Sequence, residues 1–178
     1  MLLDLERFSP ELTVAIDSDG RVLKLGEVLA LADMMRSALP ARSLLFLLTR
    51  NNTGGVAWVL ASLLSGNVPL ILNANTEESL LATLTETYLP QFICAPADMA
   101  EVTAEPAVAE EFGYRLRATG APAPALHPDL SHMLPTSGST GSPKLVRHMY
   151  SNIEAAALNI STFFGMDETE RPLMVLPL

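Results

Sequence analysis

Three uninterrupted apolar runs of strand length most constrain what this sequence can fold into. "SLLFLLT" (43–49), "VPLIL" (68–72) and "QFICA" (91–95) show no polar–apolar alternation, the mark of strands covered on both faces. Two segments of helical spacing separate them. Val56, Val59, Leu60, Leu63 and Leu64 repeat as i, i+3, i+4, i+7, i+8, after Asn51, Asn52 and Thr53 as caps and before Gly66 as terminator. Leu80, Leu81, Leu84 and Tyr88 form the second apolar face, with Asn75 or Thr76 as its cap and Pro90 as its stop. Strand, helix, strand, helix, strand predicts an α/β fold, a largely parallel sheet with helices on both faces.

The flanks extend this plan. "LTVAID" and "RVLKL" enclose Ser18-Asp19-Gly20, so 12–25 reads as a hairpin. Val28, Leu31, Ala32, Met35 and Leu39 give a helix closed by Pro40, and alternating helix and strand fill 27–100. "AEPAVAEE" and "TGAPAPALHPD" read as surface connections around a short strand, "YRLRA". Regular structure returns over 131–178. "SHMLPT" and "KLVRHM" are strands, and Ser151 with Glu154 spells a capping box for a helix with Ile153, Ala157, Ile160 and Phe164 on one face. Gly165 ends that helix, and "RPLMVLPL" starts a further strand.

Eleven basic and twenty acidic residues give a net charge of −9, which disfavours nucleic acid and anionic membrane as partners. No apolar stretch is long enough to span a bilayer, and Asp4 and Glu6 break up the N-terminus as a secretory signal, so a cytoplasmic location is expected. Cys94 lies in an apolar run with no adjoining charge, and reads as a buried structural thiol. His127, His132 and His148 lack metal-ligand spacing. Trp58 reads as core, Arg147 as a solvent-facing strand residue, and Glu77-Glu78 and Glu110-Glu111 as solvated acidic pairs.

The chemistry lies between the last two full strands. From Thr136 to Lys144 the chain holds small hydroxyls, two glycines and a terminal lysine. Glycines let backbone N–H groups approach a polyphosphate, hydroxyls donate to it, and lysine brings a compact positive charge. The spacing is not that of a Walker loop: Gly138 and Gly141 are only three apart, Pro143 precedes Lys144, and Leu145 follows it. A Gly-x-Ser-x-Gly elbow is absent, and Ser-x-x-Lys fails because position 141 is glycine.

Thr136-Ser137-Gly138-Ser139-Thr140-Gly141-Ser142-Pro143-Lys144 resembles the signature loop of the adenylate-forming (AMP-forming) ligases, the acyl- and aryl-CoA synthetases and their relatives, across nine unbroken positions. "WVLASLLSGNVPLILNAN" is similar to the family's helix–Gly–strand segment, and the final "VLPL" resembles a later one. Leu145 in place of the usual glycine, Pro135 before the threonine, and "LNANTEES" in place of a proline-rich form mark a divergent branch.

The resemblance implies ATP with Mg2+ as the reagent. A carboxylic acid would be activated as acyl-adenylate with release of pyrophosphate, then passed to a thiol, coenzyme A or the pantetheine of an acyl carrier protein. Thr136, Ser137, Gly138, Ser139, Thr140, Gly141 and Lys144 would hold the β- and γ-phosphates, with Lys144 neutralising charge. Fatty, aromatic and amino acids are all open as substrates. Family enzymes are several hundred residues long, so residues 1–178 are expected to be a partial N-terminal domain. Alone it would be inactive and able to self-associate through an exposed sheet edge. The alternative expectation is a non-catalytic α/β binding or assembly module that keeps the loop as a relic.

Overall fold

The computed structural model describes residues 4–99, 106–136, 144–167 and 169–174. A two-stranded hairpin, β1 (Thr13–Ile16) with β2 (Val22–Lys24), leads into α1 (Leu25–Ala38). Then follow β3 (Leu44–Thr49), α2 (Thr53–Leu64), β4 (Val68–Asn73), α3 (Glu78–Tyr88) and β5 (Phe92–Pro96). Next come β6 (Ala109–Glu111), β7 (Tyr114–Ala118), β8 (Leu130–Pro135), β9 (Leu145–Met149) and α4 (Tyr150–Phe164).

Seven strands make one sheet in the order β6-β7-β5-β3-β4-β8-β9. The central four, β5, β3, β4 and β8, run parallel, as the apolar runs require. The sheet is mixed because both margins are antiparallel: β7 on β5, β6 on β7, and β9 on β8. β3 is buried at every position, and its side chains alternate between two cores. Leu45 and Leu47 pack with α1, α2 and Trp58; Leu44, Phe46 and Leu48 pack with Leu84 of α3. Helices therefore cover both faces. The connection β3–α2–β4 leaves β3 on one side and β4–α3–β5 returns across it, so right-handed crossovers put α2 and α3 on opposite faces.

Local chemistry departs from the sequence reading in several places. The most buried face of α2 is Gly54, Ala57, Trp58 and Ala61, while Val56, Val59, Leu60 and Leu64 are only partly buried. Gly54 stands where α2 meets β7: a Cβ on it would stand 2.4 Å from the Phe112 carbonyl oxygen and 2.8 Å from Tyr114 Cε2. Neither Asn75 nor Thr76 caps α3. Its N-cap is Glu77, and the Thr76 hydroxyl instead donates to the Asn73 carbonyl over 2.6 Å. The Ser151–Glu154 capping box does not form either. Met149 is the N-cap of α4, and the Ser151 hydroxyl reaches Asp129 Oδ2 at 2.7 Å, a charged acceptor beyond its own helix.

"AEPAVAEE" ends in strand β6 rather than in a plain connection; its Glu110 is held by Arg115 of β7 at 2.8 Å. Arg171–Met174 form no strand, and 175–178 lie outside the described residues. The predicted face of α4 is covered only at its first turns. Ile153 and Ala157 are half-buried, whereas Ile160, Phe163 and Phe164 are 53%, 83% and 68% exposed.

Candidate functional site

In open α/β sheets, ligands collect beyond the carboxyl ends of the parallel strands. Four strands end on that rim here: β3 at Thr49, β4 at Asn73, β5 at Pro96 and β8 at Pro135. Leu70 of β4 is registered with Met133 of β8, so three residues further on Asn73 and Thr136 leave the sheet side by side. Thr136 and Lys144 are the two described residues of the candidate loop; Ser137, Gly138, Ser139, Thr140 and Gly141 lie outside the described residues.

The antiparallel pair β8–β9 sets the mouth of this loop. Pro135 faces Leu145, and one step beyond, the Thr136 amide donates to the Lys144 carbonyl over 2.9 Å. The Thr136 hydroxyl donates to the same oxygen over 3.1 Å. Lys144 is exposed, and its ammonium makes no ion pair among the described residues. Lower in the hairpin, His132 and His148 stand opposite each other with rings stacked 4.5 Å apart and 1° from parallel. Burial first, then the neighbouring His148, lowers the His132 pKa to about 4. Among the described residues there is no group of three or more His, Cys, Asp or Glu able to hold a metal. Arg147 is exposed on β9, as its strand position suggests.

The N-terminus of α2 follows β3 on the same rim, and the protein's own side chains fill it. The Asp17 carboxylate, brought over by the β1–β2 hairpin, accepts from the Thr53 amide at 2.9 Å and from its hydroxyl at 2.8 Å. Asn52 Oδ1 accepts from the Gly55 amide at 2.8 Å. Tyr114 completes the closure: its hydroxyl accepts from the Arg50 amide at 2.9 Å and donates to Asn52 Oδ1 at 3.1 Å, while burial raises its pKa. Arg50 then bridges to Asp98 at 2.9 Å. That bond raises the arginine pKa and lowers the carboxylate pKa, tying the ends of β3 and β5.

Sequence reading missed this network. Only Asn52 and Thr53, as cap candidates, were visible locally; Asp17, Asp98 and Tyr114 are distant in the chain. Cys94 is fully buried and its thiol pKa is pushed up by burial, in keeping with a structural role. Elsewhere, a shallow cleft of about 340 Å³ lies between α3, β5 and β7, separated from the loop by β3 and β4. No helix among the described residues is long and apolar enough to cross a membrane.

No family model matches the sequence, and no curated protein matches it. Solved structures do match. o-Succinylbenzoate coenzyme A synthetase (MenE) from Bacillus subtilis in complex with AMP is 21% identical with a TM-score of 0.72, over 99% of this chain and 49% of that one. The same enzyme with ATP and a magnesium ion gives 19%, 0.69, 99% and 50%. ATP-bound MatB from Rhodopseudomonas palustris gives 19%, 0.67, 92% and 37%. The chain spans half or less of the length of these structures. What is shared is the fold, and this chain has that of the N-terminal part of the adenylate-forming ligases.

Proposed function

We propose that this chain is the phosphate-loop-bearing part of an ATP-dependent carboxylate ligase. The observation that carries the reading is the nine-position loop standing at the carboxyl end of β8, in a fold shared with synthetases solved with AMP and with ATP and magnesium. ATP supplies the α-phosphorus that a carboxylate attacks and the pyrophosphate that leaves. A thiol, coenzyme A or a carrier pantetheine, then takes the acyl group and releases AMP.

The residues present suit such a ligand. The Thr136–Lys144 segment is bracketed by the strand pair Pro135–Leu145, and Lys144 offers a cation engaged by no ion pair among the described residues. Thr136, Ser137, Gly138, Ser139, Thr140 and Gly141 are assigned to the β- and γ-phosphates, and Lys144 to the charge that grows on them. Magnesium would supply charge neutralisation on the nucleotide's phosphates. A charge-assisted bond contributes roughly 1.5–3 kcal/mol, so Lys144→Ala in the complete enzyme lowers adenylation about tenfold to a hundredfold.

A second reading is a non-catalytic binding or assembly module that keeps the loop as a relic; an exposed edge and apolar patch would serve it, and are equally expected of a partial ligase domain. β9 is an edge strand, and the end of α4 carries bare apolar side chains.

The deciding experiment is carboxylate-dependent ATP–pyrophosphate exchange with a pool of acids, on residues 1–178 and on the whole reading frame that encodes them. Exchange by the whole frame establishes the ligase. No exchange by either transfers the weight to the module, and sedimentation of residues 1–178 then tests its self-association.

A further inference from the structure

We propose that Thr136 is a positioning residue: its hydroxyl clasps the loop ends and fixes the main chain of Lys144, and it is not itself a phosphate ligand. The inference rests on the phosphate-loop reading above and reassigns one residue within it. A threonine hydroxyl carries one hydrogen. Here that hydrogen goes to the Lys144 carbonyl, which also accepts the Thr136 amide. Both lone pairs of the carbonyl are thus taken by one residue. A phosphate oxygen needs a donor, and the engaged hydroxyl retains only acceptor capacity. What it does supply is a fixed origin for the lysine: with its backbone held, the ammonium has only its own rotamers to search.

Position supports this. Pro135 and Leu145 form the last strand pair of the hairpin, so the Thr136–Lys144 contact is the final restraint before the loop. Valine at 136 keeps the β-branched shape and removes the hydroxyl; serine keeps the hydroxyl and removes the methyl.

Two measurements test the proposal on residues 1–178. The first is amide exchange at position 136 by NMR, corrected for intrinsic rates. Losing one net hydrogen bond should speed exchange about three- to tenfold in Thr136→Val, with Thr136→Ser staying within about twofold of the parent. Unchanged exchange in the valine variant overturns the clasp.

The second is a double-mutant cycle read by MgATP titration. Acting through Lys144, Thr136→Val weakens binding about three- to tenfold in the parent background and adds less than about twofold to Lys144→Ala. Fully additive losses assign the hydroxyl to phosphate directly and overturn the positioning role. If residues 1–178 bind no MgATP in any version, the same cycle is read by carboxylate-dependent ATP–pyrophosphate exchange of the whole reading frame, and no exchange there sinks the phosphate-loop reading and with it the positioning role.

Discussion

Acid should unfold this protein partly through one ring. His132 is half-buried on β8, and its pKa falls from the ordinary 6.5 to about 4, chiefly through burial and secondarily through His148. The Ser131 hydroxyl donates to the His148 carbonyl over 2.7 Å, which leaves an oxygen lone pair for His132 Nδ1 at 3.1 Å. The neutral ring therefore carries its proton on Nδ1, and Nε2 must take the second one. Between pH 6.5 and 4 the unfolded chain binds that proton and the native ring does not, so stability falls as pH drops through this window. Above pH 6.5 the contribution is fully present.

At about 1.36 kcal/mol per pH unit the limiting effect is about 3.4 kcal/mol; solvent at the half-buried ring reduces it to about 2 kcal/mol. His132→Phe keeps a ring against His148 and removes the titration. Urea unfolding at pH 7.5, 6, 5 and 4.5 should show the parent losing about 1 M more of its midpoint than the variant. Carboxylates such as Asp98 and Asp167, whose pKa values hydrogen bonds lower, titrate alike in both proteins and cancel. Midpoints that fall in parallel would refute the assignment of this acid sensitivity to His132.

Two further substitutions probe the closure at the start of α2. Gly54→Ala sets a methyl against the Phe112 carbonyl, a backbone atom that cannot swing away. Overpacking of about 3 kcal/mol less about 1 kcal/mol of helix propensity leaves about 2 kcal/mol of destabilisation, a melting-temperature loss of about 4–8 °C by calorimetry. Tyr114→Phe strands the Arg50 amide and should cost about 1–3 kcal/mol in urea unfolding, with faster exchange of that amide as its specific signature.

The parts of the fold that were legible in sequence are those where one short stretch determines its own environment. β3, β4 and β5 read correctly because strands buried on both faces need apolar residues at every position. The Asn52 cap and the Gly165 terminator act within one helical turn and were equally readable. Where a distant residue competes, local pattern misleads. Ser151 has a capping geometry available three residues away, yet bonds to Asp129 across 22 residues. The face of α2 was misread because nearly every residue on it is apolar, so periodicity could not rank the sides. Closeness of approach did, and closeness favours Gly54 over larger aliphatics. β6, built on Ala and Glu with one neighbour, has too little strand character to announce itself.

The same division explains the candidate site. Its loop was visible because the resemblance rests on nine consecutive residues in one place. Its surroundings were not, yet they bear on where an anion can bind. Two loops of the rim have the chemistry for one: the β3–α2 turn, where amide groups begin a helix, and the loop after β8. Asp17 fills the first with a carboxylate, and that carboxylate would repel any phosphate brought near it. With a carboxylate already at the β3–α2 turn, an anion drawn to this rim would meet less repulsion at the loop after β8, where Lys144 makes no ion pair among the described residues. Under the proposed function, a hairpin 36 residues upstream of Thr53 would thus favour that loop, although nothing in either segment's own sequence says so.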